Sequence, residues 1–252
     1  MDTPQTGTIV PRFAIFTDFD GTLVELAETP DAITVPDDLG AEITAAARCV
    51  DGALAIVSGR ALDDLERYLP AQIAVAGGHG SERRRADGTR VAPPPDLVAE
   101  AAAVADRLRP FADAHEALIL ETKASSVALH FRKAPELEVD SRIALLEALA
   151  AAPHLELLDG KMVVEARPAA AGKGEAVRAF MLEPPFVGRV PVFLGDDDTD
   201  EDGFRVAQSM GGVGIKIGEG QTTAKLRAPD VDTARAIIVG LARRVAETAL
   251  TE

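Results

Sequence analysis

The chain has 252 residues, 47% of them hydrophobic and 27% charged, enough for one large folded domain or for a core that carries an inserted module. With 26 Lys plus Arg against 41 Asp plus Glu the net charge is −15, a field that excludes nucleic acid and anionic membrane surfaces as partners and would repel any phosphorylated ligand unless a metal or clustered cations reverse it locally. Cys49 is the sole cysteine, which excludes an internal disulfide and a thiolate metal centre; residues 1–13 hold no apolar stretch of signal-peptide length and no segment reaches that of a membrane span, so the cytoplasm is the expected location.

Residues 13–17 (FAIFT) read as a short buried strand ending at Asp18 and Gly21. Helix-period residues Ile43, Ala46, Ala47 and Val50 follow within 40–51. A second apolar run, 53–57, ends at Ser58-Gly59, and a helical stretch over 61–69 places Leu62, Leu65 and Leu69 on one stripe. A third run, 73–76, ends at Gly77-Gly78. The pattern then breaks between Arg83 and Pro168. There, PPP at 93–95 precedes an Ala-rich helix to about His115, strands are expected at 118–121 and 126–132, a helix at 137–151, and strands at 155–158 and 162–166. Apolar runs resume at 190–194 and 213–217, and an Ala-rich helix at 233–250 closes the chain.

Continuous rather than alternating apolar strands, separated by helices, describe a doubly wound α/β core whose parallel sheet is buried on both faces. The expected core is 1–82 plus 169–252. The expected insertion, 83–168, is an α+β module of two hairpin-like pairs and two helices, placed to act as a cap over the carboxyl edge of the sheet. Hinges are expected near Gly80–Arg84 and Pro168–Gly172.

Ligands of a parallel sheet bind beyond the strand carboxyl ends. Asp18-Phe19-Asp20-Gly21-Thr22-Leu23 stands at such an end, with two carboxylates close enough to need a cation or a proton between them. Asp18 could attack a phosphorus atom and Asp20 could exchange the leaving-group proton; a plain strand-ending turn would use the same residues. The acid-dense run Asp196-Asp197-Asp198-Thr199-Asp200-Glu201-Asp202 ends the fourth strand. It suits Mg²⁺, with Asp196 as a direct ligand and Asp197 and Asp200 holding metal-bound waters or orienting Lys173. It equally suits the first turn of a helix, with Asp198 and Thr199 capping. Ser58 and the N–H groups of Gly59 and Arg60 can bind phosphate oxygens, or Ser58 can simply cap the helix. Lys173, in Ala-Gly-Lys-Gly, opens a helix and could neutralise the cluster or lie in solvent. Only six lysines, Lys123, Lys133, Lys161, Lys173, Lys216 and Lys225, stand against 20 arginines, a bias that either chance or a need for a compact ammonium at some of these positions would produce.

DFDGTL at 18–23, Ser58, Lys173 and GDDDTD at 195–200 resemble, in order, the four motifs of the haloacid dehalogenase superfamily of phosphatases, and the insertion resembles its type 2 cap. Glu121-Thr122-Lys123, His130-Phe131-Arg132, Gly160-Lys161 through Arg167-Pro168, Gly172-Lys173-Gly174 and His79-Gly80 narrow the resemblance to the trehalose-6-phosphate phosphatase family over nearly the whole chain. The resemblance implies Mg²⁺ held by Asp18, Asp20 and Asp196. It implies a small-molecule sugar phosphate met by Gly59, Arg60, His79, Lys123, His130, Arg132, Lys161 and Glu165, and a monomer is the expected form. The chain departs from the family at Phe131, at Ala166 and at Gly77-Gly78. Another sugar phosphate, transfer to a sugar acceptor, and a catalytically silent sensor are the competing functions.

Overall fold

In the computed structural model, which describes residues 12–27 and 32–249, the apolar runs become adjacent strands of one sheet. The N-terminal segment 1–11, read above for a signal peptide, lies outside the described residues. The core elements are β1 (Phe13–Thr17), α1 (Leu39–Cys49), β2 (Leu54–Val57), α2 (Leu62–Leu65), β3 (Ala74–Gly77), β4 (Glu82–Arg84) and β5 (Arg90–Val91). The insertion supplies α3 (Pro95–Asp113), β6 (Ile119–Thr122), β7 (Val127–His130), α4 (Glu138–Leu149), β8 (Leu155–Gly160) and β9 (Val163–Pro168). The core then resumes with α5 (Lys173–Met181), β10 (Val190–Gly195), α6 (Asp200–Ser209), β11 (Val213–Ile217), β12 (Leu226–Ala228) and α7 (Val231–Ala249).

The eight-stranded sheet runs β12-β11-β10-β1-β2-β3-β4-β5, parallel except at β4 and β5. Its central strand carries Ala14, Ile15 and Phe16 at 0% exposure, because helices cover both faces. Phe16 stacks on Phe186 at 5.3 Å, and Phe180 lies 5.1 Å from Phe186, fixing α5 against β1. The chain leaves β1 toward β2 and returns on its other side as β10. The connections therefore diverge at the carboxyl end of β1, which opens a crevice at Asp18.

Residues 83–91, assigned above to the insertion, belong to the main sheet: β4 pairs antiparallel with β3, and β5 with β4. The reason is Arg84, which is 5% exposed and donates to the carbonyls of Ile73 and Pro70 and to Glu66. The crossing thus falls at 92–94 and the expected Gly80–Arg84 hinge is a paired hairpin. The two hairpins of the insertion join through β7 and β9 into one antiparallel sheet, β6-β7-β9-β8. One face packs on α3 and α4 around Leu108, Leu129, Leu145 and Val164, a cluster separate from the main core. Phe131 and Ala166, two of the departures noted above, are 2% and 0% exposed in that cluster, so they are packing choices. Among the described residues no helix is long and apolar enough to cross a membrane.

Candidate active site

Asp18 continues the β1 ladder, its N–H bonding the Leu194 carbonyl at 2.9 Å, and its carboxylate emerges at the sheet edge with the residue 4% exposed. Phe19 turns back into the core against Tyr68. Gly21 then reverses the chain at φ +72°; a Cβ there would stand 2.1 Å from Asp196 Oδ2, so both the backbone angle and the closeness of Asp196 require glycine.

Lys173 opens α5 and is 2% exposed. Its Nζ lies 3.0 Å from Asp18 Oδ1, 2.7 Å from Asp200 Oδ1 and 4.0 Å from Asp197 Oδ1. The other oxygen of Asp200 accepts the N–H groups of Asp196 and Asp197, each at 3.0 Å. Asp200 thus orients Lys173 and folds the loop that carries Asp196. Thr199 is the N-cap residue of α6 but makes no side-chain cap bond of its own; Asp197 supports the turn, its Oδ1 taking the Thr199 N–H at 2.8 Å and the Thr199 hydroxyl at 2.6 Å. The two turns place carboxylate oxygens of Asp18, Asp196 and Asp200 within 4.8 Å of one another.

Asp20, expected beside Asp18 and Asp196 as a metal ligand, is brought elsewhere. Arg60 grips its carboxylate through Nε and Nη2, both at 2.7 Å, and the metal-competent cluster contains Asp200 in its place. Ser58 is 2% exposed and its Oγ accepts the Arg60 N–H at 3.2 Å, which leaves its hydroxyl proton free to donate. Gly59 is required by His79, whose ring would stand 2.7 Å from a Cβ at that position. His79 itself sits at φ 55°, ψ 28°, a region few non-glycine residues occupy, and its buried Nδ1 has no partner.

The electrostatics follow from burial. Desolvation pushes Asp18 up to about 7 against the pull of Lys173, and pushes Asp196 up to about 6, helped by Asp200 and Asp197. Asp200 is likewise raised by burial and by Asp18. Burial alone would lower Lys173, but Asp18, Asp200 and Asp197 outweigh it and hold the ammonium charged. His79 is pushed down to about 3 by burial and by Lys173, Arg167 and Lys123, so it is neutral near pH 7. Carboxylates crowded until they resist ionisation, all offering hard oxygen, fit a divalent cation such as Mg²⁺. Metal-free protein should lose stability as pH rises from the unfolded carboxylate range through about 6 to 7, because Asp18 and Asp196 bind protons more tightly folded than unfolded. Mg²⁺ should therefore raise the melting temperature more at pH 8 than at pH 5, by about 2–4 °C for each kcal/mol of linkage. Equal gains at the two values would contradict the cluster as the binding site.

The open face of the insertion's sheet carries the other expected binding residues. Alternation in β9 turns Glu165 and Arg167 to that face, while Val164 and Ala166 go to the module's core. Lys123 lies 3.9 Å from both Glu165 and Glu121, and His130 Nε2 lies 2.8 Å from Glu121, which it holds below the usual carboxylate range. Lys123 and Arg167 both act on the buried His79, as Lys173 does. Arg132 and Lys161 follow the opposite strand ends, where His130 pairs with Val163; both are exposed and stand apart from Lys123 and Glu165.

Sequence reading missed Arg167, which β9's two-residue period from Glu165 would have found. It also missed Asp202, which accepts the Gly174 N–H at 2.9 Å and ties the start of α6 to the start of α5. No local pattern in the sequence points to that contact.

The fold is that of a haloacid dehalogenase-like hydrolase from B. subtilis, which superposes with a TM-score of 0.58 at 14% identity, covering 90% of this chain and 99% of that one. A family model described as trehalose-phosphatase matches residues 16–232, and the chain belongs to that family. It is 41% identical to the trehalose-6-phosphate phosphatase of Escherichia coli K12 over 90% of this chain and 86% of that protein. It is 40% identical to the probable trehalose-phosphate phosphatase of Sinorhizobium fredii over 93% and 89%. A crystal structure of a trehalose-6-phosphate phosphatase related protein superposes with a TM-score of 0.77 at 26% identity, covering 93% of this chain and 99% of that one.

Proposed function

We propose that the chain hydrolyses trehalose 6-phosphate to trehalose and phosphate through a phosphoaspartate on Asp18, with Mg²⁺ held by Asp18, Asp196 and Asp200. The observation that carries this reading is the buried Lys173 ammonium, 3.0 Å from Asp18 and 2.7 Å from Asp200, at the mouth of the β1 crevice. When bound, Mg²⁺ supplies charge neutralisation for the phosphoryl oxygens. Ser58 and the Gly59 N–H hold those oxygens, and Lys173, together with the bound cation, favours the ionised form of Asp18 and aims it. An Asp18 oxygen forms its bond to phosphorus as the bond to the sugar oxygen breaks. Asp20 gives its proton to that sugar oxygen, then takes one from the water that attacks the phosphoaspartate. Arg60 holds the Asp20 carboxylate through Nε and Nη2, so this contact has to open for Asp20 to reach the sugar oxygen.

The insertion, 94–168, acts as the cap, and Lys123, Glu165, Arg167 and His130 meet the disaccharide with the donors and acceptors its hydroxyls require. Arg132 and Lys161 reach it only at the outer rim. A cytoplasmic monomer is the accompanying reading. Glu165→Ala should raise KM for trehalose 6-phosphate about tenfold or more while p-nitrophenyl phosphate, which lacks the disaccharide, is turned over as before. Unchanged KM would place the sugar elsewhere. Activity should vanish in excess chelator and return with Mg²⁺.

A further inference from the structure

Lys216 has no part in the chemistry above. It lies near the end of β11, opposite Gly195 of β10, and is 5% exposed although its neighbours in the strand are apolar. Burying an ammonium is costly unless a specific partner repays it. Its partner is the backbone carbonyl of Asp196, to which Nζ donates. The N–H of the same residue is held by Asp200 Oδ2 at 3.0 Å. The backbone of Asp196 is thus gripped on both sides, by Asp200 at its N–H and by Lys216 at its carbonyl. This double grip fixes the direction in which Asp196 projects its carboxylate toward Asp18. Closeness on the other side is set by Gly21, which lies against that same carboxylate. A Met at position 216 would fill the space but leave the Asp196 carbonyl without its donor.

We propose that Lys216 is a positioning residue of the metal site, tethering the Gly195–Asp197 backbone so that Asp196 stays in the carboxylate cluster. The inference rests on the reading of Asp18, Asp196 and Asp200 as a Mg²⁺ site. Groups that orient a ligand without touching the metal typically change its affinity about 10–100-fold. Lys216 acts on the empty site as well as on the filled one, so metal uptake can be read without turnover.

The test is calorimetric titration of MgCl₂ into the metal-free full chain, for wild type, Lys216→Met and Lys216→Arg, alongside the Mg²⁺ dependence of phosphate release. Lys216→Met should bind Mg²⁺ about tenfold or more weakly. Its kcat at saturating Mg²⁺ should recover to within about threefold of wild type. Lys216→Arg keeps the charge but moves the donors, and should fall between the two. If the Met variant does not fold, the Arg variant carries the test, with about threefold weaker binding expected. A merely structural lysine would lower the melting temperature and leave Mg²⁺ affinity alone, which overturns the proposal. Tighter binding overturns it too, since Lys216 would then be a repelling charge and not a tether. A wild type that takes up no Mg²⁺ overturns the metal reading and this inference with it; a wild type that binds beside an unaltered Lys216→Met overturns this inference alone.

Discussion

Asp18→Asn should cost about 10³-fold or more in turnover and leave the fold intact. Carboxylate and amide have nearly the same volume, so the packing around Phe19 and Leu194 has no reason to change. The electrostatics favour the variant: Asp18 is held up near 7 by burial and by Asp197 and Asp196, and removing its charge relieves those neighbours. Metal-free Asp18→Asn should therefore melt at or above the wild-type temperature at pH 8, while its affinity for Mg²⁺ falls. Phosphate release in steady state and unfolding by circular dichroism measure the two halves separately. Turnover within tenfold of wild type would remove Asp18 as nucleophile.

Lys173→Met should be the most damaging single change to both stability and rate. Lys173 is 2% exposed and stands between two carboxylates that are themselves buried. Removing one partner of such an assembly costs about 3–5 kcal/mol, because uncompensated charge is left behind. The sign with pH is fixed by which groups remain. The raised ammonium contributes evenly across pH 5 to 8, since it is charged in the folded and unfolded chain alike. Asp18 and Asp200, left without it, can shed their penalty only by taking up protons. Destabilisation should therefore be larger at pH 8 than at pH 5, as read by urea unfolding at both values. A pH-independent loss would mean that Lys173 acts as packing and not as charge.

The catalytic strands were readable because each is a short apolar run stopped by glycine and acids. Asp18, Ser58 and Asp196 fall at such stops and Lys173 opens the helix α5, and the fold carries the three strand ends to one edge as the βαβ pattern requires. Roles within the acid run were less readable. Asp196, Asp197 and Asp200 are chemically alike, and only the backbone path decides that Asp200 takes the buried bond to Lys173 while Asp197 holds the Thr199 N–H ahead of α6. The partnership of Asp20 with Arg60 spans forty residues and leaves no trace in spacing. β12 escaped because its three residues are too short for a period. The start of the insertion was misplaced because β4 is a three-residue, arginine-rich strand with little apolar signal, and the carbonyls that hold Arg84 are invisible in its own segment.

The measurement that tests the account most directly is phosphate release with Mg²⁺ from trehalose 6-phosphate, sucrose 6-phosphate, glucose 6-phosphate and glycosyl phosphoglycerates, compared as kcat/KM. The account predicts a preference for trehalose 6-phosphate of about a hundredfold, or about 2.7 kcal/mol of transition-state binding. A flat profile or a different winner would contradict the assignment of the cap face around Lys123, Glu165 and Arg167 to that disaccharide, and no release from any of them would contradict catalysis at Asp18 itself.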